Sequence, residues 1–207
     1  MKVLLINGSP HKEGCTYTAL NEIANELNRL EVETELFHIG TQPVSGCTAC
    51  GYCKKTQARR CVYQDTVNEA ITKMELSDAM IVGSPVHYAS ACGSVISFLD
   101  RMFYASGGFA YKPGAAIVTC RRGGATAAFD QLNKYFCISG MPVVSSQYWN
   151  MAHGNTPEEV KQDLEGLQTM RTLARNLNWL LQSIAAGRKN GIPLPEVEPR
   201  LRTNFIR

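Results

Sequence analysis

Two spacings of apolar residues alternate along this chain: short unbroken runs, and longer stretches where apolar side chains recur every three or four positions. Val3-Leu4-Leu5-Ile6 is an uninterrupted run that stops at Asn7-Gly8-Ser9-Pro10, the pattern of a strand buried on both faces. Leu20, Ile23, Ala24, Leu27 and Leu30 follow at helical spacing and predict an amphipathic helix over 16–30. Residues 32–38 alternate, as a half-exposed edge strand does. Segments 79–83, 114–119 and 143–149 read as further strands, and 65–76, 94–104 and 125–138 as helices, with Asp65 placed to cap the first of these. Thr156-Pro157-Glu158-Glu159 opens a last helix, with Pro at its first position and acids in its first turn. Its apolar face carries Leu164, Leu167, Leu173, Leu177, Leu180 and Leu181, and it ends near Gly187.

Strand and helix alternate five times without an internal repeat, which predicts one α/β domain over 1–187. The architecture is a doubly wound, five-stranded parallel sheet joined by right-handed helical crossovers. In such folds ligands sit beyond the C-terminal strand ends, near the point where strand order reverses. The loops after the first, third and fourth strands are therefore the places to look for chemistry.

The pattern fails only at 40–64, an inserted segment of Gly, Pro and Cys with no periodicity, and irregular stretches of that length are usually functional. Composition sharpens this. The 207 residues are 44% hydrophobic and 19% charged, ordinary for a globular domain. A net charge of +3 with scattered Lys and Arg argues against a nucleic-acid partner. The first apolar run is too short for a signal peptide, and no run approaches the ~18 residues of a membrane span. A cytoplasmic protein is expected, with reduced thiols. Eight cysteines then need a purpose other than disulfides, and four of them fall between 47 and 61.

Those four are spaced Cys47-x2-Cys50-x2-Cys53-x7-Cys61. Three thiolates at such intervals can wrap one corner of an iron–sulfur cubane, and a fourth can close it from a flexible arm. Gly46 and Gly51 relieve crowding, while Lys54, Lys55, Arg59 and Arg60 offset the negative charge of a cluster. The bacterial ferredoxin run differs, since its fourth Cys comes sooner and precedes Pro. A four-Cys zinc site and a loop that holds nothing stay open, although zinc favours paired C-x2-C knuckles and the third and fourth Cys are not such a pair. Cys92, Cys120 and Cys137 fall in or beside predicted elements and read as packing residues.

Gly8-Ser9-Pro10-His11-Lys12-Glu13-Gly14-Cys15-Thr16 lies directly between a strand and a helix. Backbone N–H groups at a helix start, with the Ser9 and Thr16 hydroxyls, make a phosphate site. The loop lacks the Gly-Lys-Ser/Thr ending of a nucleotide P-loop and the G-x-G-x-x-G of dinucleotide folds. Its bland reading is a strand–turn–helix connection built from turn formers. Gly83-Ser84-Pro85-Val86-His87-Tyr88 follows the third strand, and a Pro-stiffened loop with an aromatic tip can pack against a planar heterocycle. Read alone, His87 and Tyr88 fit an exposed loop pair equally well.

Together, the first loop, the segment Gly83–Tyr88 and Phe98-Leu99-Asp100-Arg101 on the next helix resemble the NADPH-dependent FMN reductase branch of flavodoxin-like proteins. The resemblance covers nearly the whole chain and implies the strand order 2-1-3-4-5. It implies that Ser9, His11, Cys15 and Thr16 meet the phosphate of FMN, and that Pro85, Val86, His87 and Tyr88 lie against the ring. Thr119, Arg121, Gly123 and Gly124 then fall near the pyrimidine side, where donors stabilise charge that develops on reduction. Cys15 stands where the family commonly has Asn, His11 where it has Arg, and His87 where an aromatic residue is frequent. The cysteine run resembles that of the iron–sulfur flavoproteins, a subgroup that carries a [4Fe–4S] cluster at this place.

By this resemblance the chain is an FMN oxidoreductase that takes NAD(P)H or a carrier protein as donor and works as a homodimer or homotetramer, the cysteine loop approaching a neighbour's flavin. Nucleic acid and membrane are not among its expected partners. The alternatives are a cluster-free NAD(P)H:FMN or quinone reductase and a non-catalytic flavin-binding carrier. The tail 188–207 contains three prolines and cannot form a long helix, yet Leu201, Phe205 and Ile206 suggest an arm that docks on the domain or a partner subunit.

Overall fold

The computed structural model describes residues 1–199, 201, 203 and 205. Strand β1 (Lys2–Asn7) is the hub, paired in parallel with β2 (Glu33–His38) on one side and β3 (Ala79–His87) on the other. β3 pairs with β5 (Gly114–Cys120), and β5 with β6 (Met151–His153), which gives the order β2-β1-β3-β5-β6. A two-residue strand, β4 (Ser90–Ala91), folds back antiparallel on the end of β3. Apart from β4 the parallel strands run in the order 2-1-3-4-5, so the chain has the doubly wound α/β fold predicted for it.

Period-two alternation divides each central strand between two cores. Leu4 and Ile6 point into one face with Met80, Val82, Ala116 and Val118, covered by α3 (Thr66–Glu75), α4 (Gly93–Ser106) and α5 (Ala125–Ile138). Val3 and Leu5 point the other way, toward α1 (Cys15–Arg29) and α7 (Leu164–Lys189). All four β1 side chains are fully buried, each worth roughly 1.5–3 kcal/mol of transfer free energy. α1 and α7 are also latched by charge: buried Glu26 accepts from Arg175 Nε at 2.5 Å and Arg29 Nη1 at 2.8 Å.

Three elements differ from the pattern-based expectation. The fifth strand is not 143–149. Val143 makes only an isolated bridge to Gly114, and regular pairing begins at Met151. Between them Ser146 Oγ donates to Asn150 Oδ1 at 2.7 Å, and buried Asn150 donates Nδ2 to the Ala116 carbonyl at 3.0 Å. Side chains thus take over hydrogen bonds that a ladder would use. Tyr148 and Trp149 turn outward as a tilted pair, 5.1 Å between centroids, and belong to the rim. The last helix is broken at Asp163 into α6 (Pro157–Gln162) and α7, because that carboxylate caps the second piece through Gly166 N at 2.9 Å. Leu164 is consequently exposed at the new start. β3 runs four residues beyond 83, as far as His87, because β5 continues alongside it to the Pro85–Thr119 pair and β4 pairs with Val86 and His87. Pairing with β1 stops at Gly83, so Pro85 sits where one edge is free and its missing N–H is tolerated.

Within 40–64 a single short helix forms, α2 (Tyr52–Thr56). Of the three cysteines read as packing residues, Cys92 and Cys120 are buried but Cys137 is exposed on α5. His153 lies exposed at the end of β6. Leu201 and Phe205 are exposed and do not dock on the domain, and Ile206 lies outside the described residues. No helix among the described residues is long and apolar enough to cross a membrane.

Candidate functional site

The loops after β1, β3 and β5 are joined to one another at the C-terminal edge of the sheet. Gly8 N donates to the Gly83 carbonyl at 2.9 Å, and the buried hydroxyls of Thr16 and Thr119 bond at 2.8 Å. Gly8 is required by space: a Cβ there would lie 1.8 Å from Val95 Cγ2 on α4. The first loop is shaped from within. Asn7 Oδ1 accepts from Ser9 N at 3.1 Å, Ser9 Oγ accepts from His11 N at 3.1 Å, and His38 Nε2 donates to the Ser9 carbonyl at 2.8 Å. Ser9 and Thr16 are buried, Cys15 is half-buried and His11 is exposed.

Burial pushes the Cys15 thiol up, with Glu159 and Glu158 adding to it against the backbone N–H that opposes the rise. Cys15 therefore stays a neutral thiol, its sulfur 3.7 Å from the Gly154 carbonyl. It brings no negative charge to a site that would take an anion.

Helix starts divide into two groups. α1, α4 and α5 begin at Gly14, Cys92 and Gly124, none of which offers a side-chain cap. α3, α6 and α7 are capped by Asp65, Thr156 and Asp163. The five-residue α2 also starts uncapped, at Gly51, but among the longer helices the three without a cap are those that follow the linked loops. Their first-turn N–H groups lack an intrahelical acceptor by the geometry of a helix, and each start carries about half a positive charge. Such an edge suits a phosphate and a ring that gains negative charge, so the residues fit FMN.

The segment read as a ring loop is the β3–β4 hairpin, turned at Tyr88 and Ala89. Tyr88 is held at φ 59° and fully exposed, and His87 beside it is exposed as well. Pro85 and Val86 are half-buried beneath. Gly124 (φ 86°) closes against this hairpin, since a Cβ there would come 2.9 Å from Val86 Cγ1. Thr119 is buried, whereas Arg121, Gly123 and Gly124 are exposed at the rim, so all three predicted segments meet at one edge.

The cysteines form a second centre. Cys47, Cys50, Cys53 and Cys61 line one cavity of about 120 Å³ against Arg101 and Tyr104 of α4. Cys47 and Cys50 face outward, while Cys53 and Cys61 pack partly against the core. No carboxylate or imidazole lines the cavity, and its cations are Lys54 and Arg101. Among the described residues no three Cys, His, Asp or Glu side chains converge on a point that would hold a single ion. Four soft sulfur donors spread around one volume, beside positive charge, fit a polynuclear iron–sulfur cluster. The backbone is strained here, with Ala49, Gln57 and Arg59 at φ 54°, 53° and 54°.

Two anchors of this loop were given no role from the sequence, although Arg101 belongs to the segment 98–101 that carries the resemblance. Asn68 of α3 clasps the Cys61 backbone, accepting from its N–H at 2.8 Å and donating to its carbonyl at 2.9 Å. Arg101, 1% exposed, donates to Cys61 Sγ and Asp65. Burial works against its charge, but the hydrogen bonds with Asp65 and Cys61 prevail and raise its pKa. A signal for it existed, because Arg101 stands three residues after Phe98, inside the apolar stripe of its helix.

The fold and the linked loops define the flavodoxin-like class of flavoproteins. An archaeal flavodoxin of known structure superposes with TM-score 0.60 over 88% of this chain and 99% of its own, at 16% identity. The family model for NADPH-dependent FMN reductases matches residues 1–156, and the chain belongs to that family, in its iron–sulfur flavoprotein subgroup. An iron–sulfur flavoprotein of Methanocaldococcus jannaschii is 31% identical over 193 residues, 89% of this chain and 99% of the relative. One from Methanosarcina thermophila is 30% identical over 196 residues, 91% and 99% of the two chains.

Proposed function

We propose that this chain is an FMN-dependent oxidoreductase of the iron–sulfur flavoprotein type, relaying electrons between a donor and an acceptor through FMN and a [4Fe–4S] cluster. The donor is NAD(P)H or a carrier protein. α4 supports the reading: its first residues continue from the β3–β4 hairpin, and Arg101 and Tyr104 further along it line the thiol cavity. Arg101 stands eight helical steps after Gly93, about 12 Å of rise.

When bound, FMN exchanges electrons singly or in pairs and the cluster exchanges them singly, so the two together convert one kind of transfer into the other. Ser9, His11, Cys15 and Thr16, with the first amides of α1, hold the phosphate. Pro85, Val86, His87 and Tyr88 lie against the ring. Thr119, Arg121, Gly123 and Gly124 offer donors to its pyrimidine side, and the uncapped start of α5 adds positive charge where negative charge develops. Cys47, Cys50, Cys53 and Cys61 bind the cluster. Because Cys47 and Cys50 face outward, the cluster arm is open to the flavin of a second copy in a homodimer or homotetramer.

The test is an anaerobic absorption spectrum of purified protein with iron and sulfide analysis, followed by NAD(P)H oxidation with quinone or ferricyanide as acceptor. The expected result is a flavin spectrum over a broad cluster band, about four irons and four sulfides per chain, and turnover. Flavin and turnover without iron would make it a cluster-free reductase. Flavin without turnover on either nucleotide would make it a carrier.

A further inference from the structure

The Arg101 guanidinium is fully engaged. A guanidinium has five N–H donors, and each has an acceptor here. Nε and one Nη2 hydrogen both face Cys61 Sγ at 3.3 Å, Nη1 and Nη2 meet Asp65 Oδ2 and Oδ1 at 2.7 and 3.0 Å, and Nη1 reaches the Ser45 carbonyl at 3.4 Å. The Tyr63 ring covers the guanidinium, 5.0 Å from its carbon. A neutral thiol accepts hydrogen bonds weakly. Two charged N–H groups aimed at one buried-side sulfur suit an anionic sulfur, such as one bound to iron.

The acceptors also bracket the cysteine run: Ser45 precedes Cys47, and Cys61 and Asp65 close it. One side chain on the rigid helix α4 therefore pins both ends of the segment that carries all four thiols.

We propose that Arg101 is the positioning residue of the cluster arm, fixing Cys61 and raising the reduction potential of the cluster through its two bonds to that sulfur; this rests on the cluster reading above. Hydrogen bonds to cluster sulfur stabilise the more negative, reduced state. Asp65 opposes Arg101 by neutralising it, so the two residues act on the potential in opposite directions. A purely structural latch would give both changes the same sign, since removing either partner loosens the same contact.

The experiment compares full-length, anaerobically reconstituted wild type with Arg101→Met, Arg101→Lys and Asp65→Asn. Iron and sulfide content, the cluster midpoint potential from redox titration followed by electron paramagnetic resonance, and iron loss to a chelator are read for each. Arg101→Met is expected to lower the cluster reduction equilibrium about tenfold, 59 mV for one electron, and to speed iron loss. Arg101→Lys keeps the charge without the fork and falls between. Asp65→Asn keeps the α3 cap and moves the potential upward. Unshifted potentials in a loaded Arg101→Met protein, or the same sign for Met and Asn variants, overturn the inference and leave the relay reading intact. If Arg101→Met does not fold or load, Asp65→Asn decides: an upward shift supports the inference, and no shift or a downward one overturns it. Wild type that takes up no iron and sulfide overturns both.

Discussion

Gly8→Ala strikes the joint that links the loop after β1 with β3 and α4. The added methyl would lie 1.8 Å from Val95 Cγ2 and 2.8 Å from the Gly83 carbonyl oxygen. Val95 is fully buried in the first turn of α4, and the carbonyl is backbone that already accepts the Gly8 N–H at 2.9 Å. Neither can withdraw without moving an element. Overpacking of this kind costs about 1–3 kcal/mol, and a weakened hydrogen bond about 1 more. A loss of about 2–4 kcal/mol is expected, a large share of the ~5–15 kcal/mol that holds a typical domain. Urea titration should show a lower midpoint at unchanged slope. FMN affinity, from fluorescence quenching, should fall at least about tenfold as the joint opens. Val95→Ala alone should cost about 1–3 kcal/mol for its cavity. Combined with Gly8→Ala it leaves room for the new methyl, so the double variant should be about 1–2 kcal/mol better than the sum. FMN binding stays weak in that variant, because the contact with the Gly83 carbonyl persists. Strict additivity, or a Gly8→Ala protein within about 0.5 kcal/mol of wild type, would refute the reasoning.

Asn68→Ala removes both bonds to the Cys61 backbone, worth together about 1–3 kcal/mol. The loss is local, so hydrogen exchange should accelerate at 61–63 while the global unfolding midpoint moves less. Thr119→Val leaves the buried Thr16 hydroxyl without its 2.8 Å partner and should cost about 1–3 kcal/mol, whereas the Thr16→Val/Thr119→Val double variant should recover most of it in thermal unfolding. Hydrogen bonds from Lys2, then from Lys73, hold the Glu35 carboxyl below its ordinary value of 4.5. A depressed carboxylate favours the folded state above the unfolded pKa, and that contribution is lost as pH falls through the folded pKa. Glu35→Gln should therefore flatten the acid limb of the stability–pH curve below about pH 4.5 and lower stability at pH 7; an unchanged acid limb would contradict this.

Local spacing was enough to read the alternation of strands and helices, the loop between β1 and α1, and the four-cysteine run, because each is written in neighbouring residues. A both-faces-buried strand needs only its own four apolar side chains, and the helix over 125–138 needs only its own period. Elements whose form depends on distant partners were not legible. The fifth strand was displaced because Asn150 found the Ala116 carbonyl, 34 residues away in sequence, and the last helix broke because Asp163 caps its second half. β3 outran its apolar pattern because β5 runs beside it as far as Thr119 and β4 folds back on its last two residues.

The same division runs through the candidate site. Residue types and spacing alone pointed to thiols for a cluster and amides for a phosphate. Only the tertiary structure showed that α1, α4 and α5 start uncapped around linked loops, and that Arg101 and Asn68 clasp Cys61. The reason is physical: ligand type is a property of one side chain, whereas burial and partnership are made by elements that meet only when the sheet forms.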